Sequence, residues 1–290
     1  MRIVRTVEEM KAVSREHRAR GKRIGFVPTM GSLHEGHLSL VRASRERTDT
    51  TVVSIFVNPA QFGPGDDLAS YPRDLERDAA LLEKEGVDYV FHPEPSGMYP
   101  EGFGTFVEVG DLQDRLCGHS RPGHFRGVCT VVLKLFNIVR PDAAFFGWKD
   151  AQQVIILRRM AADLDLDVSI EALPLVRDAD GLALSSRNSY LSAEERKAAL
   201  VLPRSLEDAR RLVEAGEKDA EAVTRKVAEA VATEPLARLD YVDVADPKDL
   251  GHVDRIEGEV LVALAAFIGR TRLIDNVRIA PALFRKPRIR

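Results

Sequence analysis

The sequence predicts an α/β protein: a Rossmann-like, doubly wound parallel sheet followed by a second, smaller α+β domain. Three observations carry this. Short, uninterrupted apolar runs alternate with helical patterns from residue 24 to about 173, as a sheet covered by helices on both faces requires. After Pro174 the order changes to long helices followed by strands. The chain has 290 residues, and at roughly 150 residues per domain that supports two cores. The boundary is placed between residues 175 and 176, giving domains 1–175 and 176–290.

Each element has a local reason. Thr6-Val7-Glu8-Glu9 reads as a capping box, so a helix covers 6–20 until Gly21-Lys22-Arg23 ends it. Ile24 to Val27 is a buried strand closed by Pro28, and His37 to Arg47 is a helix. Thr51 to Val57, rich in β-branched and aromatic residues, is a strand broken by Asn58-Pro59. Arg73 to Glu85 carries Leu75, Ala79 and Leu82 at helical spacing, with Gly86 as its C-cap. Tyr89 to His92 is a strand, and the Gly- and Pro-rich residues 93–123 form an excursion. Then follow a helix from Phe125 to Val139, a strand from Ala143 to Phe146, a helix from Lys149 to Leu164 and a strand from Val168 to Leu173. Residues 176–190 form a mobile polar loop. Ser192 to Ala215 and Asp219 to Thr233 are helices, and Asp240 to Val244, Glu259 to Phe267 and Arg272 to Val277 are antiparallel strands. The basic tail Arg285 to Arg290 reads as a solvated end.

Composition narrows the function classes. With 42 Lys+Arg against 45 Asp+Glu the net charge is −3, which weighs against a nucleic-acid partner. Hydrophobic residues are 44% and charged residues 30%, ordinary for a soluble globular chain. The most apolar run, Val260 to Gly269, is far short of the ~18–20 residues that span a bilayer. The N-terminus mixes charges early and lacks a signal-peptide core. Cys117 and Cys129 fit no CxxC pattern, so a reducing cytoplasm is expected and both read as small buried apolar residues.

Four segments could carry chemistry. Met30-Gly31-Ser32-Leu33-His34-Glu35-Gly36-His37 follows the first strand of the alternating series and opens a helix. Ligands of open α/β sheets bind beyond the carboxyl ends of strands, and a helix N-terminus favours phosphate. His34 and His37, three apart, can face one point. A zinc reading is discounted, because H-E-G-H is one residue shorter than the metalloprotease spacing. The second segment, Asn58-Pro59-Ala60-Gln61, follows the next strand; its neutral amides suit a hydroxyl or a carboxylate. Gly147-Trp148-Lys149-Asp150 with Gln153 is the third, where Lys149 suits phosphate and Asp150 ribose hydroxyls. The fourth, Leu184-Ser185-Ser186-Arg187, lies in the loop joining the domains and could close over a polyphosphate. Rival readings are a kinase, which lacks a G-x-x-x-x-G-K-[ST] loop here, another nucleotidyltransferase, which would want more cations for its acceptor, and an RNA-binding relative of a synthetase.

An H-x-x-H turn with a later Ser/Arg loop resembles the nucleotidyltransferase superfamily that includes class I aminoacyl-tRNA synthetases. More closely, P-T-M-G-S-L-H-E-G-H, F-V-N-P-A-Q-F, R-P-G-H-F-R-G-V, F-F-G-W-K-D-A-Q-Q and A-D-G-L-A-L-S-S-R-N, in this order, resemble the pantoate–β-alanine ligase family. The resemblance implies that ATP and (R)-pantoate form pantoyl-adenylate and that β-alanine then displaces AMP. It implies ATP contacts from Met30 to His37, Gly147 to Asp150, Val176 and Leu184 to Arg187, with His37 as general acid beside His34, Lys149 and Arg187. It assigns pantoate to Gln61 and Gln153, and β-alanine to Gln61. Mg²⁺ is expected mainly on the ATP phosphates, with Asp78 a candidate for its outer shell. A homodimer is also implied, and the second domain would act as a lid that shields the adenylate from water. Trp148, Leu184 and Cys117 depart from the commonest pattern, where Glu, Met and Glu are expected.

Overall fold

A computed structural model describes residues 1–281 of the chain, so the basic tail lies outside the described residues. The chain divides into two compact units. The first holds residues 1–113 and 121–175, and the second holds 114–120 and the chain from Val176 on.

In the first unit the elements are β1 (Arg2–Val4), α1 (Val7–Ala19), β2 (Ile24–Thr29), α2 (Glu35–Arg47), β3 (Thr50–Ile55), α3 (Leu75–Lys84), β4 (Tyr89–Phe91), the short α4 (Pro95–Met98), α6 (His124–Val139), β5 (Ala143–Gly147), α7 (Ala151–Asp163) and β6 (Ser169–Leu173). The one-turn α5 (Cys117–Ser120) belongs to the second unit. Six parallel strands lie in the order β1-β4-β3-β2-β5-β6. Connections run one way from β2 to β3 and the other way at β5, so the strand order reverses beside β2, where open sheets bind ligands. Val27, Val53, Val90 and Phe145 form a core on one face with Leu33, Val41 and Leu82. On the other face Phe136 of α6 meets Phe26 edge-on at 6.4 Å. Gly25 lets α2 lie directly on β2: a Cβ there would come within 2.2 Å of Ser44 Oγ.

The second unit contains α8 (Ala193–Ala199), α9 (Val201–Glu214) and α10 (Ala220–Ala232), followed by β7 (Ala237–Ala245), β8 (Val260–Ile268) and β9 (Thr271–Ile279). The strands form an antiparallel sheet in that order. Leu202 and Leu206 of α9 and Val223 and Val227 of α10 are buried with Val262 and Leu264 of β8.

Five local expectations need correction. Strand β1 has no counterpart in the sequence reading; it is three residues long, pairs only with β4, and exposes Arg2 and Ile3. β2 runs through Pro28 to Thr29, because β5 pairs with it only at Gly25 and Phe26 and demands no N–H from Pro28. The Thr6 box is half formed: Thr6 Oγ1 accepts from Glu9 N, while the Glu9 carboxylate pairs with Arg2. The helix expected over 192–215 is two helices meeting at Leu200, since Pro203 has no N–H for the Ala199 carbonyl. Finally, residues 114–120 leave the expected first domain: Arg115 Nη1 donates to Leu250 O at 2.7 Å, and Cys117 Sγ lies 3.5 Å from Arg272 Nη1.

Candidate active site

At the carboxyl end of β2, Thr29 Oγ1 donates to Ser54 O at 2.7 Å and accepts from Gly31 N at 3.2 Å. The chain then reverses through two left-handed residues, Gly31 (φ +83°) and Ser32 (φ +52°). What holds this costly conformation is Asp78, 1% exposed on the first turn of α3. Its Oδ2 accepts from Ser32 N at 2.7 Å and its Oδ1 from Leu33 N at 2.9 Å. Burial pushes the Asp78 carboxyl up, and the two amides pull it back. The amides of Ser32 and Leu33 are therefore engaged within the fold, and Asp78 serves them with both oxygens. Among the described residues no group of three or more His, Cys, Asp or Glu is placed to hold a metal ion.

His34 is the N-cap of α2, and its backbone N–H donates to His37 Nδ1 at 3.4 Å. The two rings lie 4.1 Å apart, centroid to centroid. An Nδ1 that accepts leaves the proton of the neutral His37 ring on Nε2. Burial, then the charges of His34 and Lys149, hold its pKa well below the usual histidine value. Lys149 reaches the same neighbourhood from the carboxyl end of β5, where Trp148–Asp150 make a single 3₁₀ turn before α7. Its Nζ lies 3.7 Å from Asp150 Oδ1. Gln153 sits half-buried on the first turn of α7. The helix expected from Lys149 thus starts two residues later, after that turn.

The β3 end supplies a network of neutral groups. Asn58 is 1% exposed. Its Oδ1 accepts from Tyr99 Oη at 2.6 Å and from Ala60 N at 3.3 Å, and its Nδ2 donates to Gly127 O at 3.1 Å and to Gln61 Oε1 at 3.0 Å. Backbone donor and acceptor fix which way the Asn58 amide points, and Asn58 in turn fixes Gln61. Gln61 therefore presents Nε2, which donates to Met30 Sδ at 3.3 Å. Gly127 permits this closeness, because a Cβ there would stand 2.2 Å from Ala60 O.

In the second unit the loop 176–190 is tied by hydrogen bonds of its own and to β9. Leu184 N donates to Val176 O at 3.0 Å, and Arg177 grips Asp275 of β9 through Nη1 and Nη2 at 2.7 and 2.9 Å. Leu182 is buried in that unit's core. Ser185 Oγ caps Arg187 N at 3.2 Å, opening the 3₁₀ turn Ser186–Tyr190.

Sequence reading passes over Asp78 as a clamp on the turn, and it gives no role to Tyr99, Arg121 or His124. R-P-G-H-F-R-G-V is a visible signal for the last two, but their partners lie about 60 residues away and leave no local pattern.

The comparisons with known proteins agree along the chain. The sequence profile of the family described as pantoate-beta-alanine ligase matches residues 2–278. The pantothenate synthetase of Pelotomaculum thermopropionicum is 57% identical over 276 residues, covering 95% of this chain and 98% of that protein. The one from Heliobacterium modesticaldum is 57% identical over 277 residues, covering 96% and 99%. Among solved structures, pantothenate synthetase from Thermus thermophilus superposes with a TM-score of 0.92 at 46% identity, covering 97% of this chain and all of that one. A pantoate-beta-alanine ligase from Francisella tularensis, solved with beta-gamma ATP and β-alanine, gives 0.79 at 34% identity, covering 96% and 97%. With both units, the histidine turn and these likenesses in hand, the chain belongs to the pantoate–β-alanine ligase family.

Proposed function

We propose that this enzyme condenses (R)-pantoate with β-alanine in two steps, through pantoyl-adenylate, releasing pyrophosphate and then AMP. A carboxylate acylates poorly because oxide is a poor leaving group, and adenylation replaces it with AMP. The observation that carries this reading is the contrast along one sheet edge. Lys149 brings its ammonium, and His34 and His37 their imidazoles, with His37 held neutral, to the ends of β2 and β5, while the Asn58–Gln61 pair offers uncharged amide donors at the end of β3. An ammonium with imidazole N–H donors suits the polyphosphate, and neutral amide hydrogens suit the oxygens of pantoate without trapping the acid as an ion pair.

His34, His37 and Lys149 are assigned to the phosphates, with Nε2–H of the neutral His37 ring as the hydrogen-bond donor that meets the developing charge. Met30 to His37 and Gly147 to Asp150 hold ATP, Asp150 at the ribose. Gln61 and Gln153 hold pantoate, and Gln61 also borders β-alanine, whose neutral amine mainly needs positioning against the acyl carbon. Mg²⁺ enters as part of the substrate, MgATP. For the second unit we assign Val176, Leu184, Ser185, Ser186 and Arg187 to the nucleotide, supported by the anchoring of their loop. The Francisella relative's complex with beta-gamma ATP and β-alanine supports these substrates. A homodimer and a cytoplasmic location complete the reading; sedimentation equilibrium tests the first and cell fractionation the second. Among the described residues no helix is long and apolar enough to cross a membrane.

ATP–pyrophosphate exchange with pantoate present and amines omitted tests the first step. Pantoate-dependent exchange is expected, and His37→Ala or Lys149→Ala should lower it by about 10²-fold or more with the circular dichroism unchanged. Exchange that ignores pantoate, or near-normal rates in either variant, overturns the assignment.

A further inference from the structure

The side chain of Gln61 faces the neutral network, but its backbone is gripped from elsewhere. Gln61 O accepts from His124 Nδ1 at 2.8 Å and from Arg121 Nη2 at 3.5 Å. The other nitrogen of that ring, Nε2, lies 3.2 Å from Arg121 Nη1. A guanidinium only donates, so Nε2 accepts and the ring's single proton sits on Nδ1. Arg121 is fixed in turn by Asp66 Oδ2 at 2.8 Å, an oxygen that also accepts from Gly63 N at 2.9 Å. One turn further along α6, Gly127 touches Ala60 and its carbonyl accepts from Asn58. The segment 58–63 is thus held along its length, and the imidazole is the piece that locks the residue carrying the pantoate amide.

We propose that His124 is a positioning residue for pantoate: its Nδ1-protonated imidazole, braced by Arg121 and Asp66, fixes the Gln61 turn and so aims the Gln61 amide. This rests on the reading of Gln61 given above. Three further observations agree with it. Burial and the Arg121 charge bring the His124 pKa down to about 4, which keeps the ring neutral near pH 7. Its edge contact with Phe125, at 4.9 Å between centroids, restrains rotation. Neither nitrogen of His124 is left over for proton transfer to a ligand, which separates it from the His34–His37 pair.

The test is kinetic and spectroscopic. In the pantoate-dependent exchange assay, His124→Ala should raise the KM for pantoate about tenfold, with the KM for ATP and the limiting rate within about twofold. His124→Asn, whose Nδ2 can donate where Nδ1 does, should recover most of that loss. A Gln61→Ala control separates the two readings. If it leaves the pantoate KM unchanged, the assignment of Gln61 fails first; if it raises the KM while His124→Ala does not, only the role of His124 falls. A purely packing role predicts no rescue by Asn and equal loss for both substrates, which also overturns the proposal. Should His124→Ala fail to fold, ¹⁵N spectra of the wild-type imidazole still decide: the Nδ1–H tautomer is expected at pH 7, and the Nε2–H tautomer refutes the inference.

Discussion

Two loops in this molecule are each built on a buried aspartate, and they are built differently. The Gly31–Leu33 turn of the first unit hangs on Asp78, which accepts two backbone amides. The 176–190 loop of the second unit hangs on Asp275, 2% exposed, which accepts both arms of Arg177. In the first case the carboxylate dictates backbone dihedrals, including a left-handed serine. In the second it anchors one side chain, and the loop keeps its shape through its own bonds, such as Leu184 N to Val176 O. A carboxylate spent on backbone amides sets conformation; one spent on a guanidinium sets attachment.

Removing Asp78 should have the largest effect. Asp78→Ala leaves two amides beside a cavity and a strained turn without its brace, so we expect about 3 kcal/mol of lost stability. Pantoate-dependent exchange should fall with it, and chemical denaturation with parallel exchange assays checks both. A change confined to activity would mean that the turn keeps its shape without the clamp.

Acid should separate the two regions next. His37 and His124 both lie in the first unit, one held well below the usual value and one at about 4. Each binds its proton less well folded than unfolded. Their stability contribution is complete above the unfolded pKa of about 6.5 and declines as the pH falls towards 4. His124 alone puts the order of magnitude at about 3 kcal/mol. Hydrogen exchange read by mass spectrometry should find residues 1–113 and 121–175 loosening between pH 6.5 and 4.5 before the second unit does. Simultaneous loosening would break the comparison.

Asp275→Asn should cost less, about 1–2 kcal/mol, because Arg177, with 32% of its side chain exposed, can turn to water. Limited proteolysis within 176–190 should accelerate while the sheet persists. The smallest effect is expected for Arg177→Lys, which keeps the charge and loses the two-pronged fit, at under about 1 kcal/mol. A loss equal to that of Asp275→Asn would mean that the paired geometry, rather than the charge, holds the loop.

The same contrast explains what the sequence could disclose. Ile24 to Val27 and Thr51 to Val57 read as strands because both of their faces are covered, so every residue is apolar or small. Arg2 to Val4 does not, because a three-residue strand at the sheet edge has no such signature. The histidines, Lys149 and the Gln61 segment are legible because each follows a strand of the alternating series. Asp78 is separated from the turn it holds by 46 residues, and Asp275 from Arg177 by 98. Clamps of that range are set by the fold and leave no pattern in a local window. Pro203 stands within the span read as one helix, and the structure shows that it sets the break at Leu200.

The bond from His34 N to His37 Nδ1 makes a helix start answerable to a proton. A ring with hydrogens on both nitrogens has no lone pair for that amide, so charging His37 uncaps α2 at the moment the imidazolium forms. Because Nε2 already holds a hydrogen, the proton that charges the ring goes onto Nδ1, and the first turn of α2 reports its arrival directly. A ligand anion that stabilises the charged ring therefore draws part of its binding energy into moving backbone.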